Sequence, residues 1–207
     1  MLLVTIADED PLLDEAALSE CGFDVTAVDP SPTATALARE RSGAGRVLYE
    51  TAAAEDLGHE DGAFDLAYYA DTFEVTSDLD RVVEQAARVL RPGGVLCYDT
   101  VTRTVPSRIV YLGAFQGIPQ TRIMPRGRYA AARLRPPAEL ARVFERHHLR
   151  NEDVCGFKPA RPRDLVTAVL ARRRGRITDD DIAAACPFVL DPDHRPAVTY
   201  LGHARKR

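Results

Sequence analysis

Asp29 is the first residue whose type and place suggest chemistry. It closes the strand-like stretch "FDVTAVDPS" (23–31) and follows a short apolar run at Leu2-Leu3-Val4. An acid at the end of a second strand, about twenty residues after the first turn, is placed to accept hydrogen bonds from both hydroxyls of a ribose. Beside Ser31 it is equally suited to start a helix. Asp71 and Glu74 form the second candidate group. Three residues apart on a helical turn, their carboxylates would face one way. Such a pair can bind a hard divalent cation through oxygen, share one proton with one pKa raised, or simply stand in solvent. In "AAAEDL" (52–57), Glu55 or Asp56 could accept from an adenine amino group or belong to a solvated turn. His147-His148 suit a helix C-terminus, where the dipole favours them. "RRRGR" (172–176) reads as a solvated helix end with at most weak attraction to anionic lipid.

The elements that would carry these residues follow from apolar spacing. Residues 2–6, 23–29, 46–50, 63–71 and 95–100 read as strands. Helices are expected over 12–21, over 30–43 with Ser31 as cap and Gly43 as stop, and over 78–90 with "RPGG" (91–94) ending it. Strands alternating with helices give a mostly parallel sheet covered on both faces. Ligands bind beyond the carboxyl ends of such strands, so residues 7–11, 29–31 and 68–74 share one rim. Residues 104–129 read as a helix and a long ordered loop, a lid over that rim. A helix at 136–149, a strand near 149–157, two short helices within 162–186 (the second capped by Thr178 or a neighbouring Asp) and a closing strand at 197–206 complete the chain.

The totals narrow the class. The chain has 207 residues and a net charge of −4, which suits one α/β domain over 1–207 and argues against general nucleic-acid binding. No apolar run spans a bilayer and no secretory leader is evident. The four cysteines form no CxxC pair, so structural thiols in a reducing cytoplasm are expected.

Several stretches together resemble class I S-adenosylmethionine-dependent methyltransferases, and among them the O-methyltransferases of ubiquinone biosynthesis. They are "DVTAVDPS" (24–31), "AEDL" (54–57), "FDLAYYADTFEV" (64–75), "RVLRPGGVLCYDTVTR" (88–103), "MPRGRYAAARLRPPAELARVF" (124–144) and "AVTYLGHA" (197–204). The resemblance implies a Rossmann-like fold with an antiparallel C-terminal strand. It implies cofactor contacts at Asp29, on ribose, and at Ala70; Asp8 in the first turn and Glu55 are further candidates for contact with the same cofactor. It also implies that Asp71 and Glu74 match the acids of an E-x-x-E-H motif associated with a divalent metal such as Mg2+. The implied acceptors are catechol-like rings, and segment 104–129 would cover the substrate and touch a membrane surface at most peripherally.

The departures matter as much. The glycine-rich D-x-G-x-G-x-G turn has become "IADEDPL" (6–12), the motif histidine has become Val75, and a "GTHD"-like stretch has become "GRYA" (127–130). The usual N-terminal helical segment is missing, and residues 159–190 read as an insertion. Glycines in that turn permit positive φ and close backbone approach, and Pro11 removes a donor. Acids there repel the cofactor's carboxylate by about 1 kcal/mol per close pair in water and about 4 at intermediate dielectric. A loss of ~3–4 kcal/mol would turn micromolar affinity into roughly millimolar. Three readings follow: an O-methyltransferase of a small phenolic, quinone-like or polyketide-like hydroxyl; an inactive subunit binding an active paralogue or a second copy; and a cofactor-independent biosynthetic enzyme such as a cyclase.

Overall fold

The computed structural model describes residues 1–6, 18–19, 21–41, 47–119, 121–178 and 181–207. The expected first helix and the turn carrying Asp8 therefore lie almost wholly outside the described residues. The strands are β1 (Leu2–Ile6), β2 (Val25–Asp29), β3 (Val47–Thr51), β4 (Phe64–Ala70), β5 (Leu90–Val101), β6 (Leu149–Pro159), β7 (Phe188–Asp191) and β8 (Thr199–Lys206). They form one sheet in the order β3-β2-β1-β4-β5-β8-β6-β7. The first five pair in parallel, whereas β8 joins β5, and β6 joins β8, antiparallel. The α/β fold with an antiparallel C-terminal strand is as expected.

Local sequence explains the elements that hold the rim. All five residues of β2 are buried, as in a strand covered on both faces. Helix α1 (Pro32–Arg41) begins where the Ser31 hydroxyl accepts from the Ala34 N–H at 3.2 Å. Helix α2 (Leu79–Val89) begins at Asp78, whose side chain accepts from the Arg81 N–H at 3.0 Å, and buries Val82, Val83, Ala86 and Val89. A short helix α3 (Val105–Ser107), capped by Thr104, continues into a π-helical segment over Arg108–Phe115. Helix α4 (Pro137–Arg146) adds Leu140 and Phe144 to the core, where the Phe144 ring meets Tyr98 and Phe73 at centroid distances of 5.1 and 5.9 Å.

Three local expectations differ from the structure. "RPGG" lies inside β5: Phe64 pairs with Leu90 while Leu66 pairs with Val95, so residues 91–94 bulge from the ladder. A Cβ on Gly94 would stand 2.8 Å from the Arg91 carbonyl oxygen, which is why a glycine sits there. Within 159–190, helices α5 (Pro162–Arg173) and α6 (Ile182–Ala185) appear as expected, and β7 was not foreseen. Its four residues, between Pro187 and Pro192, are too few to show a period. Among the described residues no side chain caps α6; Asp181 instead accepts from the N–H and hydroxyl of Thr178 at 2.8 and 2.9 Å, and Asp179 and Asp180 lie outside the described residues.

Candidate active site

The register of the parallel strands sets the site's frame. Thr5 pairs with Val28 on one side and with Tyr69 on the other, and Ile6 pairs with Ala70. One residue beyond Val28, Asp29 is level with Ile6 and Ala70. Asp29 and Ala70 thus flank the end of β1, about 10 Å apart at two strand spacings. Here the strand order reverses, β2 lying on one side of β1 and β4 on the other, the switch point where such sheets bind ligands. Two of the three expected rim segments are brought together; the third, with Asp8, lies outside the described residues.

Asp29 is 9% exposed, and its Oδ1 accepts from the Ser31 N–H at 2.6 Å. That bond turns the chain from β2 into α1, so the helix-starting role is present and the carboxylate is fixed at the rim. Ala70 is buried at the end of β4. Glu55 is half-buried; its carboxylate accepts from the Thr76 hydroxyl and its carbonyl accepts from Arg81 Nε at 3.1 Å. Those bonds tie the loop after β3 to the start of α2.

Asp71 and Glu74 do share one face. Asp71 adopts φ +44, a conformation that costs a non-glycine residue about 1–3 kcal/mol. Its N–H donates to Asp99 Oδ1 at 2.8 Å, while the Tyr68 hydroxyl donates to Asp99 Oδ2 at 3.2 Å. The chain then turns through Thr72–Thr76, with the Thr76 N–H on the Thr72 carbonyl at 3.1 Å, and places Glu74 fully out of solvent. Glu74 Oε2 accepts from the Thr100 hydroxyl at 2.6 Å; Oε1 has no hydrogen-bond donor among the described residues. Burial first, then the Asp71 charge and contact with its carboxylate, raise the Glu74 pKa well above the ordinary carboxyl value. The Thr100 bond opposes this and is outweighed. Both the burial and the neighbouring Asp71 charge favour the protonated form of Glu74.

That arrangement suits a shared proton and does not fit Mg2+. Such an ion keeps several waters, and Glu74 is closed to solvent. Among the described residues no group of three or more His, Cys, Asp or Glu side chains could hold a metal.

Sequence reading missed three partners. In sequence Asp99 and Thr100 read only as part of a strand, although an acid near the carboxyl end of a central strand is a usable signal. The third is Tyr111, on the π-helical segment. Its ring packs edge-on against Tyr129 at 4.9 Å and Phe115 at 5.4 Å. Burial, then Asp71, Tyr129, Glu74 and Asp99, push its phenol pKa up, so the segment stands within electrostatic reach of the acids. Arg135 donates from Nε to the Phe73 carbonyl at 2.7 Å; burial lowers its pKa, and the nearby Glu74 acts in the other direction. His147 sits at the end of α4, 3.3 Å from Asp80, away from this group.

Comparison with known proteins agrees with this frame. Residues 13–98 match the family model described as a methyltransferase domain. A ubiquinone biosynthesis O-methyltransferase of Xanthomonas oryzae pv. oryzae is 32% identical over 157 residues, 73% of this chain and 64% of that protein. The similarly named protein of Xylella fastidiosa is 34% identical over 163 residues, 76% of this chain and 65% of that protein. The chain thus spans just under two thirds of the length of these curated relatives. Among solved structures, an S-adenosylmethionine-dependent methyltransferase from Thermotoga maritima superposes with a TM-score of 0.62 at 19% identity, covering 99% of this chain and 81% of that one. The [4+2]-cyclase SpnF superposes with a TM-score of 0.63 at 20% identity, covering 99% and 75%. At such identities these two likenesses speak for the fold alone.

The chain has a methyltransferase-like fold, and in sequence it is similar to class I S-adenosylmethionine-dependent methyltransferases. Within that class, its similarity runs to the O-methyltransferases of ubiquinone biosynthesis.

Proposed function

We propose that the chain is an S-adenosylmethionine-dependent O-methyltransferase of a small phenolic, quinone-like or polyketide-like acceptor. One observation carries this reading: Asp29 and the Asp71–Glu74 pair stand at level strand ends on either side of β1. Asp29 is placed to accept from ribose hydroxyls, and Glu55 to accept from the adenine amino group. Ala70, with its single methyl, leaves room for a ligand to cross β1 towards Asp71. The bound cofactor would supply an electrophilic methyl group. Asp71 would accept the proton that the acceptor's hydroxyl gives up, as a general base. Glu74, already protonated, donates to Asp71 and fixes its orientation. The segment 104–129 closes over the acceptor as a lid, with Tyr111 against it. We place the protein in the cytoplasm, as one catalytic domain with an insertion at 159–190 and at most peripheral membrane contact. Among the described residues no helix is long and apolar enough to cross a membrane.

The acids of "IADEDPL" (6–12) favour a second reading, in which the cofactor is bound weakly or not at all. The chain would then serve an active paralogue or its own second copy as a partner, or turn over a substrate without cofactor. Calorimetric titration with S-adenosylmethionine and S-adenosylhomocysteine separates these. Micromolar binding supports methyl transfer. No binding at millimolar ligand removes it. Copurification with a methyltransferase paralogue would then point to the partner role, and turnover without cofactor to the third reading.

A further inference from the structure

We propose that Tyr129 binds the acceptor, its hydroxyl held in place to donate a hydrogen bond to the acceptor's ring oxygen beside Asp71 and Glu74. Identifying the ligand as a hydroxylated ring rests on the methyl-transfer reading; the hydroxyl's availability does not.

Tyr129 is 2% exposed, and no hydrogen bond reaches its hydroxyl among the described residues. Buried polar groups are rarely left so without a reason. Its position is nevertheless closely fixed. Gln116, itself buried, donates from Nε2 to the Tyr129 carbonyl at 2.8 Å and accepts the Tyr129 N–H on Oε1 at 3.0 Å. The ring stands edge-on to Tyr111 with an interplanar angle of 80°. The Arg128 guanidinium, 5.6 Å from the ring centroid, favours the ionised phenol as a donor near the hydroxyl and by its charge, but no bond of hydrogen-bond distance and angle forms between them. Burial, then Asp71 and Glu74, outweigh it, so the hydroxyl keeps its proton and remains a donor.

Three other buried tyrosines give the contrast. Tyr98 donates to Asn151 Oδ1 at 2.7 Å and Tyr200 to the Arg135 carbonyl at 2.6 Å. Tyr69 also lacks a partner for its hydroxyl, but its ring stacks on Phe73 within the core, and the charges acting on it are Arg88 and Glu55. Tyr129 alone among these four combines an unpartnered hydroxyl with Asp71 and Glu74 as the acids whose charges act on it. A ring oxygen that has given its proton to Asp71 carries negative charge in a poorly solvated site, and a preplaced donor stabilises it there.

The test pairs Tyr129→Phe with Tyr69→Phe, which deletes a comparable hydroxyl away from the acids. Catechol is the probe, titrated by NMR in the presence and absence of S-adenosylhomocysteine. Tyr129→Phe should weaken catechol binding about tenfold and lower kcat/KM for its methylation about 10–100-fold. The melting temperature should not fall, and S-adenosylmethionine affinity should stay within about twofold. Tyr69→Phe should leave catechol affinity unchanged. In wild-type protein isotopically labelled at tyrosine Cζ, the Tyr129 signal should shift as catechol is added, a readout that survives even if the variant does not fold. Unchanged catechol affinity in folded Tyr129→Phe, an unmoved Tyr129 signal, or no catechol binding by the wild type would each overturn the proposal. Tyr129-dependent catechol binding in a protein that binds no S-adenosylmethionine would uphold the donor role while removing methyl transfer.

Discussion

Strands β2 and β4, in the parallel part of one mixed sheet, both lead to acids, and the two ends meet different surroundings. After β2 the chain turns at once into α1, and Asp29 meets a backbone N–H, that of Ser31, at 2.6 Å. After β4 the left-handed backbone of Asp71 sends the chain inwards, so that Glu74 meets one hydroxyl and the carboxylate of Asp71. The residue types are nearly the same and the topological positions equivalent. What differs is the donor supply. A helix start offers unsatisfied N–H groups to a carboxylate, whereas a turn packed under β5 offers Thr100 and little else. On the proposed reading, one end accepts hydroxyls and the other stores a proton.

The sharpest way to break this contrast is at the proton-storing end. Asp71→Asn removes the base but keeps a side chain that tolerates positive φ, so the fold should survive. If Asp71 takes the acceptor's proton, kcat should fall about 10²–10⁴-fold while S-adenosylmethionine affinity, measured by calorimetry, stays near wild type. A parallel loss of cofactor binding would show that the two ends are not separate in function. At the other end, Asp29→Asn retains an oxygen for the Ser31 N–H and so keeps the start of α1. Exchanging charge-assisted for neutral hydrogen bonds to ribose should weaken cofactor binding about 10–100-fold. An unchanged affinity would leave Asp29 as a helix-starting acid alone.

The contrast also explains what could be read from sequence. β2 and β4 were legible because continuous apolar runs bounded by acids and prolines have one physical solution in a parallel sheet. Asp29, Asp71 and Glu74 were legible as candidates because strand ends are where such sheets place ligands. Their states were not, since a carboxyl's proton depends on neighbours distant in the chain: Thr100 lies 26 residues from Glu74 and Asp99 lies 28 from Asp71. Tyr111 and Tyr129 were hidden for the same reason, lying in a segment with no simple period. β7 escaped because a four-residue edge strand is defined by its pairing with β6 more than by its own composition.

Two smaller changes sharpen the account of Glu74. Thr100→Val keeps the volume and deletes the one hydroxyl that Glu74 accepts from. Leaving that buried oxygen unpaired should cost about 1–3 kcal/mol, read as a lower urea midpoint with an unchanged slope. Glu74→Gln should do the reverse, and its effect should depend on pH. In the unfolded chain Glu74 titrates near its ordinary value of 4.5, and in the folded protein it titrates well above that. Below pH 4.5 both states hold the proton and the site contributes no pH dependence. As pH rises past 4.5 the unfolded state releases its proton while the folded state keeps it, so wild-type stability falls until the folded pKa is passed. Glutamine cannot titrate, still accepts from Thr100, and donates to Asp71 as the protonated acid does. The variant should therefore match the wild type near pH 4 and melt progressively higher than it towards pH 7, by about 2–4 °C for each kcal/mol recovered. A gap that stays constant across this range would mean that Glu74 is ionised in the folded protein, and with it the proposed proton store would fail.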